Sequence, residues 1–156
     1  MAGSETGCEP IYVFYDGHCA TCHAAVRWLL QRRGRERFRF VPLGALRGHS
    51  EAEFLQHSLR RDWGESLIVL AAGRAYERSE AVLVLLRALP LPWSILSFGR
   101  RLPVCWRDAA YDWVAANRYR WFGRAEPAHL CTRLEPAARM LLLDELPAEV
   151  RENLRA

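Results

Sequence analysis

Residues 11–22 constrain this chain more than any other stretch. They read Ile-Tyr-Val-Phe-Tyr-Asp-Gly-His-Cys-Ala-Thr-Cys. The opening apolar run, with β-branched and aromatic members, predicts a buried strand. Asp16-Gly17 is a turn signal. Cys19 and Cys22 then begin a segment in which Cys22, Val26, Leu29 and Leu30 recur at helical spacing, with Arg27, Arg32 and Arg33 free to face water. Gly34 supplies a C-terminal stop. A strand, a turn and a C-x-x-C pair at a helix start is the order that thiol–disulfide exchange needs. Near a βαβ pattern such a pair reads as a redox motif.

The rest of the chain supplies that pattern. Residues 38–41 resume strand character and Pro42 ends it, so strand, helix and strand fall within about 30 residues as a βαβ unit with parallel strands and a right-handed crossover. Ser50-Glu51-Ala52-Glu53 matches a capping box ahead of Phe54, Leu55 and Leu59, predicting a second helix that ends near Asp62. Residues 66–71 are the next strand. Ala72-Gly73 is a two-residue break, and residues 74–78 return antiparallel as a hairpin. Ser79 can cap a helix over residues 81–89, stopped by Pro90 and Pro92. The order is β-α-β-α-β-β-α, an α/β (α+β) mixed sheet. It is the order of a thioredoxin-like core, a parallel βαβ half joined to an antiparallel ββα half.

Three regions follow: a tail over residues 1–10, the core over 11–98, and a helical C-terminal extension over 99–156 packed on the core. Within the extension, helices are expected over 104–118, 136–146 and 147–154. Residues 123–134 read as a loop carrying Pro127, His129 and Cys131. Trp106, Tyr111, Trp113 and Trp121 are expected to pack the extension onto the core, with its Arg residues facing water.

Composition decides several classes. A chain of 156 residues suits one domain, and 51% hydrophobic with 26% charged residues is a globular balance. The net charge of +4 is uneven, because residues 100–124 hold six Arg against two Asp. Such a window can meet an acidic partner, a membrane surface or nucleic acid. The run Arg118-Tyr119-Arg120-Trp121-Phe122-Gly123-Arg124 could stack bases and hold phosphates. Its charge is modest beside a dedicated patch, and no nucleic acid is expected as a partner. All 22 basic residues are Arg, which we attribute to the base composition of a bacterial genome. The most apolar window, 81–98, is broken by Arg87, Pro90 and Pro92, so no membrane span is expected. Residues 1–10 lack secretory-signal features, and the five Cys form no disulfide framework, so a reducing cytoplasm is the expected compartment.

The attacking species in disulfide exchange is the thiolate. A free Cys holds too little of it at neutral pH. Unpaired N–H groups and the macrodipole at a helix start lower a thiol pKa, to roughly 3.5–7.5 in such motifs. Cys19 is therefore the expected nucleophile. Cys22, three residues on and on the same face, is the expected resolving thiol. His18 can favour the thiolate when protonated or shuttle a proton, or it is an exposed bystander. Asp16 close to Cys19 would raise its pKa, so it fits better as a turn residue accepting backbone N–H bonds. Gly17 supplies a special backbone angle or lets a partner chain come close. His23 reads as a surface residue, Cys105 as a small buried hydrophobe, Cys131 as inert and Cys8 as a free thiol in the tail.

Two other classes stay open. One is a zinc site, Cys19 and Cys22 joined by Cys105, His129 or Cys131. Zinc normally takes four protein ligands, and no second C-x-x-C exists, so no metal is expected. The other is a redox-inactive scaffold that binds a protein. The redox reading needs no bound cofactor. Its partners are a disulfide-containing protein or small molecule and an external thiol reductant.

The motif Tyr15-Asp16-Gly17-x-Cys19-x-x-Cys22 resembles the signature of the DCC family of thiol-disulfide oxidoreductases, named for its Asp-Cys-Cys set. The strand and hairpin over 66–78, the Ser79 helix and the R-Y-R-W-F-G stretch at 118–123 resemble later blocks of that family, so the resemblance covers residues 11–134. It implies a thioredoxin-like fold and protein-disulfide reductase activity, with the family pattern falling on Asp16, Cys19 and Cys22. Thioredoxins carry a cis-Pro just before the third strand, where it helps bind extended substrate. Here Glu65-Ser66 holds that place, so substrate is expected to dock differently. Tyr15, Gly17, Glu65 and Ser66 are the candidate substrate-binding positions.

Overall fold

The computed structural model describes residues 9–46, 67–124, 136–143, 147, 148 and 150. Its spine is β1 (Ile11–Tyr15), buried at all five positions. β1 lies between β2 (Phe38–Pro42), parallel to it, and β3 (Ile68–Ala71), antiparallel to it. β4 (Arg74–Glu77) pairs antiparallel with β3, so the order is β2-β1-β3-β4. A strand flanked on both sides and covered on both faces must be apolar throughout, which is why β1 lacks alternation.

Successive side chains of a strand point to opposite faces. Ile11, Val13 and Tyr15 therefore join Phe38, Phe40 and Val69 in one core. Tyr12 and Phe14 join Val41, Ile68 and Leu70 in a second, on the other face. The first core is roofed by α1 (Ala20–Leu30) and α2 (Arg78–Ala88), through Val26, Leu29 and Leu30 of α1 and Ala81 and Leu85 of α2. Phe14, Phe38 and Phe40 are fully buried, and burial of such a ring contributes about 1.5–3 kcal/mol. This is a thioredoxin-like mixed α+β arrangement, as expected. The helix expected to end near Asp62 lies outside the described residues, as do Glu65, Ser66, His129, Cys131 and Cys8.

The hairpin is a two-residue one, with Ala71 opposite Arg74. Ala72 and Gly73 both take positive φ, +50° and +70°, as the mirror-image turn of a tight hairpin requires. Gly73 adopts that conformation freely; Ala72 does so against its Cβ.

The extension differs from expectation in three ways. First, the helix expected over 136–146 is short. The helix that forms there, α4, covers only Pro136–Arg139. The chain then runs beside β2: the Phe40 N–H donates to Leu141 O and the Leu143 N–H donates to Phe40 O, both at 2.8 Å. The free edge of β2 needed partners for its peptide groups, and residues 141–143 supply them. Second, α3 (Val104–Phe122) shows its Trp residues to solvent. Trp106 is 72% exposed, Trp113 62% and Trp121 47%. Third, its Arg residues turn partly inward. Arg118 is buried, and Arg107 pairs with Glu80 of α2 at 3.0 Å. Arg78 pairs with Asp108 and Asp112, and Ser79 donates to Asp108. α3 is thus held to α2 largely by charge. Of the four aromatics expected to pack inward only Tyr111 does so, through the Leu67 N–H, while hydrogen-bonded ion pairs hold the helix and the three Trp rings lie outside. Cys105, expected to be buried, is exposed on the same helix.

Candidate functional site

The site is made where β1 ends. Asp16 closes the turn twice: its carbonyl accepts the Cys19 N–H at 3.2 Å and its Oδ1 accepts the His18 N–H at 2.9 Å. That side chain-to-backbone bond is how Asp stabilises a turn without a further residue. Cys19 is the N-cap of α1, in extended conformation, and its carbonyl accepts the His23 N–H at 3.0 Å. No acidic residue occupies the first turn of α1, so nothing there opposes a negative charge on sulfur.

The two thiols are polarised against each other. Cys19 is drawn down from 9.0 to about 5, first by the hydrogen bond it receives from the Cys22 thiol. The Cys22 and Thr21 N–H groups and the Arg118 guanidinium add to this, while burial opposes it. Cys22 is pushed well up, first because it is the donor in that bond, then by burial and by the Cys19 charge.

The remaining charge comes from far along the chain. The Arg118 guanidinium lies 3.6 Å from Asp16 Oδ2 and donates to Tyr119 Oη at 3.2 Å. The Tyr119 hydroxyl donates to Asp16 Oδ2. Arg118 and Asp16 are nearly closed to water, with side chains 6% and 12% exposed. The carboxylate that should disfavour the Cys19 thiolate is thereby neutralised, and a cation is left beside the dithiol. Tyr111, also on α3, accepts the Leu67 N–H at 3.0 Å and so ties the helix to the start of β3.

Cys19 itself is fully buried, under an antiparallel bridge to Arg124. The nucleophile expected at an open helix end is covered by the chain leaving α3. The Thr21 and Cys22 peptide N–H groups and the Arg118 guanidinium act on its sulfur. Cys22 is half-buried.

The histidines exchange places. The His18 side chain is exposed. His23, read as a surface residue, is 3% exposed, packs edge-on to Tyr15 at 6.1 Å and is held neutral chiefly by burial, against a hydrogen bond to Gly17. The spacing Cys19, Cys22, His23, Val26, Leu30 is a helical stripe, and His23 was legible in it. Tyr15 and Gly17 are buried. Arg118, Tyr119 and Tyr111 were missed as site residues. Arg118 and Tyr119 carried a signal in the R-Y-R-W-F-G stretch at 118–123 that resembles a family block, and Tyr111 in its expected packing on the core, but nothing in their spacing tied them to Asp16 or the dithiol. Among the described residues no three His, Cys, Asp or Glu side chains gather as a metal site. No described helix is long and apolar enough to cross a membrane.

A buried Cys19 and a half-buried Cys22 thus stand at the N-terminus of a helix on a thioredoxin-like sheet. The model of the DCC1-like thiol-disulfide oxidoreductase family matches residues 13–124, and the chain belongs to that family. It is 30% identical over 112 residues to YuxK, an uncharacterised protein of Bacillus subtilis, covering 72% of this chain and 80% of that one. It is 34% identical over 124 residues to a chloroplastic DCC family protein of Arabidopsis thaliana, covering 78% of this chain and 70% of that one. No solved structure matches it. Family membership supports a general thiol–disulfide redox role.

Proposed function

We propose that the chain catalyses thiol–disulfide exchange in which Cys19 attacks and Cys22 resolves. The observation that supports this most is the opposed polarisation of the pair, one thiol held near pH 5 and its neighbour pushed up. At neutral pH Cys19 is the thiolate and Cys22 keeps its proton. The Cys19 sulfur bonds one substrate sulfur, and the other leaves with the bonding electrons and takes a proton from water. His18, exposed beside Cys19, is the candidate for relaying that proton. Forming the mixed disulfide removes the Cys19 charge. The hydrogen bond and the repulsion that held the Cys22 proton vanish together, so resolution is triggered by the first step. Cys22 then bonds Cys19, the second half-substrate leaves as a thiol, and an external dithiol reduces the Cys19–Cys22 disulfide. A reducing cytoplasm would supply that dithiol. Because Cys19 is covered, attack also needs the contact with Arg124 to open. Gly123, at φ +72° and ψ −167°, is the swivel available for it.

Disulfide reduction with dithiothreitol recycling tests this, wild type against Cys19→Ser. Loss of at least 100-fold is expected; equal rates would remove Cys19 from the mechanism. Alkylation of wild type against pH should show a thiol titrating near pH 5. A second reading, a redox-silent scaffold that binds a protein, draws on the burial of Cys19 and the exposed Trp face of α3. Partner capture that survives Cys19→Ser with Cys22→Ser, alongside no turnover by wild type, favours it.

A further inference from the structure

A cavity of about 190 Å³ lies between α1, α2 and α3, and Cys22 is part of its wall. Val26, Leu29, Leu67, Leu85 and Val114 are among its apolar lining, with Tyr15 beneath and the Thr21 hydroxyl at its wall. Tyr111 and Arg118 also line it but bond elsewhere, Tyr111 to the Leu67 N–H and Arg118 to Asp16 and Tyr119. An apolar cavity of roughly 150 Å³ stays dry and accepts a benzene ring. This one is slightly larger, and it adjoins the sulfur that hydrogen-bonds Cys19.

We propose that this cavity is the substrate subsite, and that it takes the alkyl group of a small, apolar disulfide. The proposal rests on the exchange reading given above. Three observations separate it from a protein substrate. The recess holds about one ring or one short chain, not a peptide. Cys19 is closed on the side of the Arg124 bridge, where an extended chain would lie. Gly17, expected to meet such a chain, is buried, and Tyr15 is buried as part of this cavity's own wall. With one alkyl group seated beside Cys22, the substrate sulfur is held next to the dithiol and meets Cys19 when the Arg124 contact opens. Cys19 bonds that sulfur and the outer half departs as thiolate, protonated by water. Cys22 gives up its proton and bonds Cys19, and the seated half leaves as thiol. The substrate gains two electrons, the protein becomes the Cys19–Cys22 disulfide, and dithiothreitol restores it.

A homologous series tests the idea: the symmetric dialkyl disulfides from dimethyl through dibutyl to dioctyl, each reduced with dithiothreitol recycling. Each added methylene should raise kcat/KM about fourfold, and the gain should stop at about five or six carbons, when the cavity is full. Ala115→Phe, which fills the cavity from α3, should flatten the series, so that dibutyl disulfide loses its advantage over dimethyl disulfide. If that variant does not unfold cooperatively, Leu29→Ala replaces it and should move the optimum to longer chains. Flat kcat/KM across the series in wild type overturns the subsite while the exchange reading stands. Faster reduction of insulin than of dibutyl disulfide overturns it too. No turnover of any disulfide removes the exchange reading itself.

Discussion

Arg118 is the residue on which the site's electrostatics turn. A guanidinium closed to water is tolerable because Asp16 and Tyr119 meet it, and Asp16 is tolerable beside a thiolate because Arg118 meets it. Removing one member of a buried pair strands the other and costs about 3–5 kcal/mol. Arg118→Met should therefore lower stability by about that amount, read from urea unfolding. It should also raise the alkylation midpoint of Cys19 above about 5, because the cation acts to lower it. Arg118→Lys keeps the charge without the planar fork, so the midpoint should move less than the stability. If Arg118→Met unfolds like wild type with an unmoved midpoint, Arg118 is a bystander.

At the scale of elements, the hairpin and α3 carry opposite lessons. In the hairpin the local rule holds, but its first turn residue is a poor choice. Ala72 pays for φ +50° with steric strain that Asn or Gly would avoid. Ala72→Asn should add about 0.5–1 kcal/mol, read as a higher urea midpoint with an unchanged slope. In α3 the local rule misleads. Large aromatics on a helix normally mark its buried face, yet the charges between Arg78, Asp108 and Asp112 and between Glu80 and Arg107 fix which side meets α2. Trp106→Gln should accordingly change stability by no more than about 0.5 kcal/mol. A loss above about 2 kcal/mol would mean that the ring is covered in solution.

Over the whole molecule, the polarised dithiol links redox state to stability. The folded Cys19 loses its proton near pH 5 and the unfolded one near 9, so between these values only the unfolded chain holds that proton. Stability of the reduced protein should therefore rise with pH from about 5 to about 9. Above 9 it should fall, because folded Cys22 keeps a proton that the unfolded chain releases. His23 is also lowered, so it adds to the rise at pH values below about 6.5. The window from 7 to 9 then isolates Cys19. Urea midpoints across that window should climb for the reduced protein and stay level for the disulfide form or Cys19→Ser. Level midpoints for the reduced protein would mean that Cys19 is not held ionised.

What residues 11–22 determined alone was local: a strand too apolar for an exposed sheet face, a turn that Asp16 can close, and a helix starting at Cys19. These depend on contacts within a few positions, and so does the hairpin at Ala72-Gly73. The parallel β1–β2 pairing was legible as well, since a strand-helix-strand unit of that length closes in one way. Only the tertiary structure decided that Arg118 and Tyr119, a hundred residues away, neutralise Asp16. It also decided that Arg124 covers Cys19, that residues 141–143 complete the β2 edge, and that the Trp residues of α3 face outward. Each of these depends on which distant groups meet when buried charges and peptide groups find partners. No spacing along the chain encodes that choice.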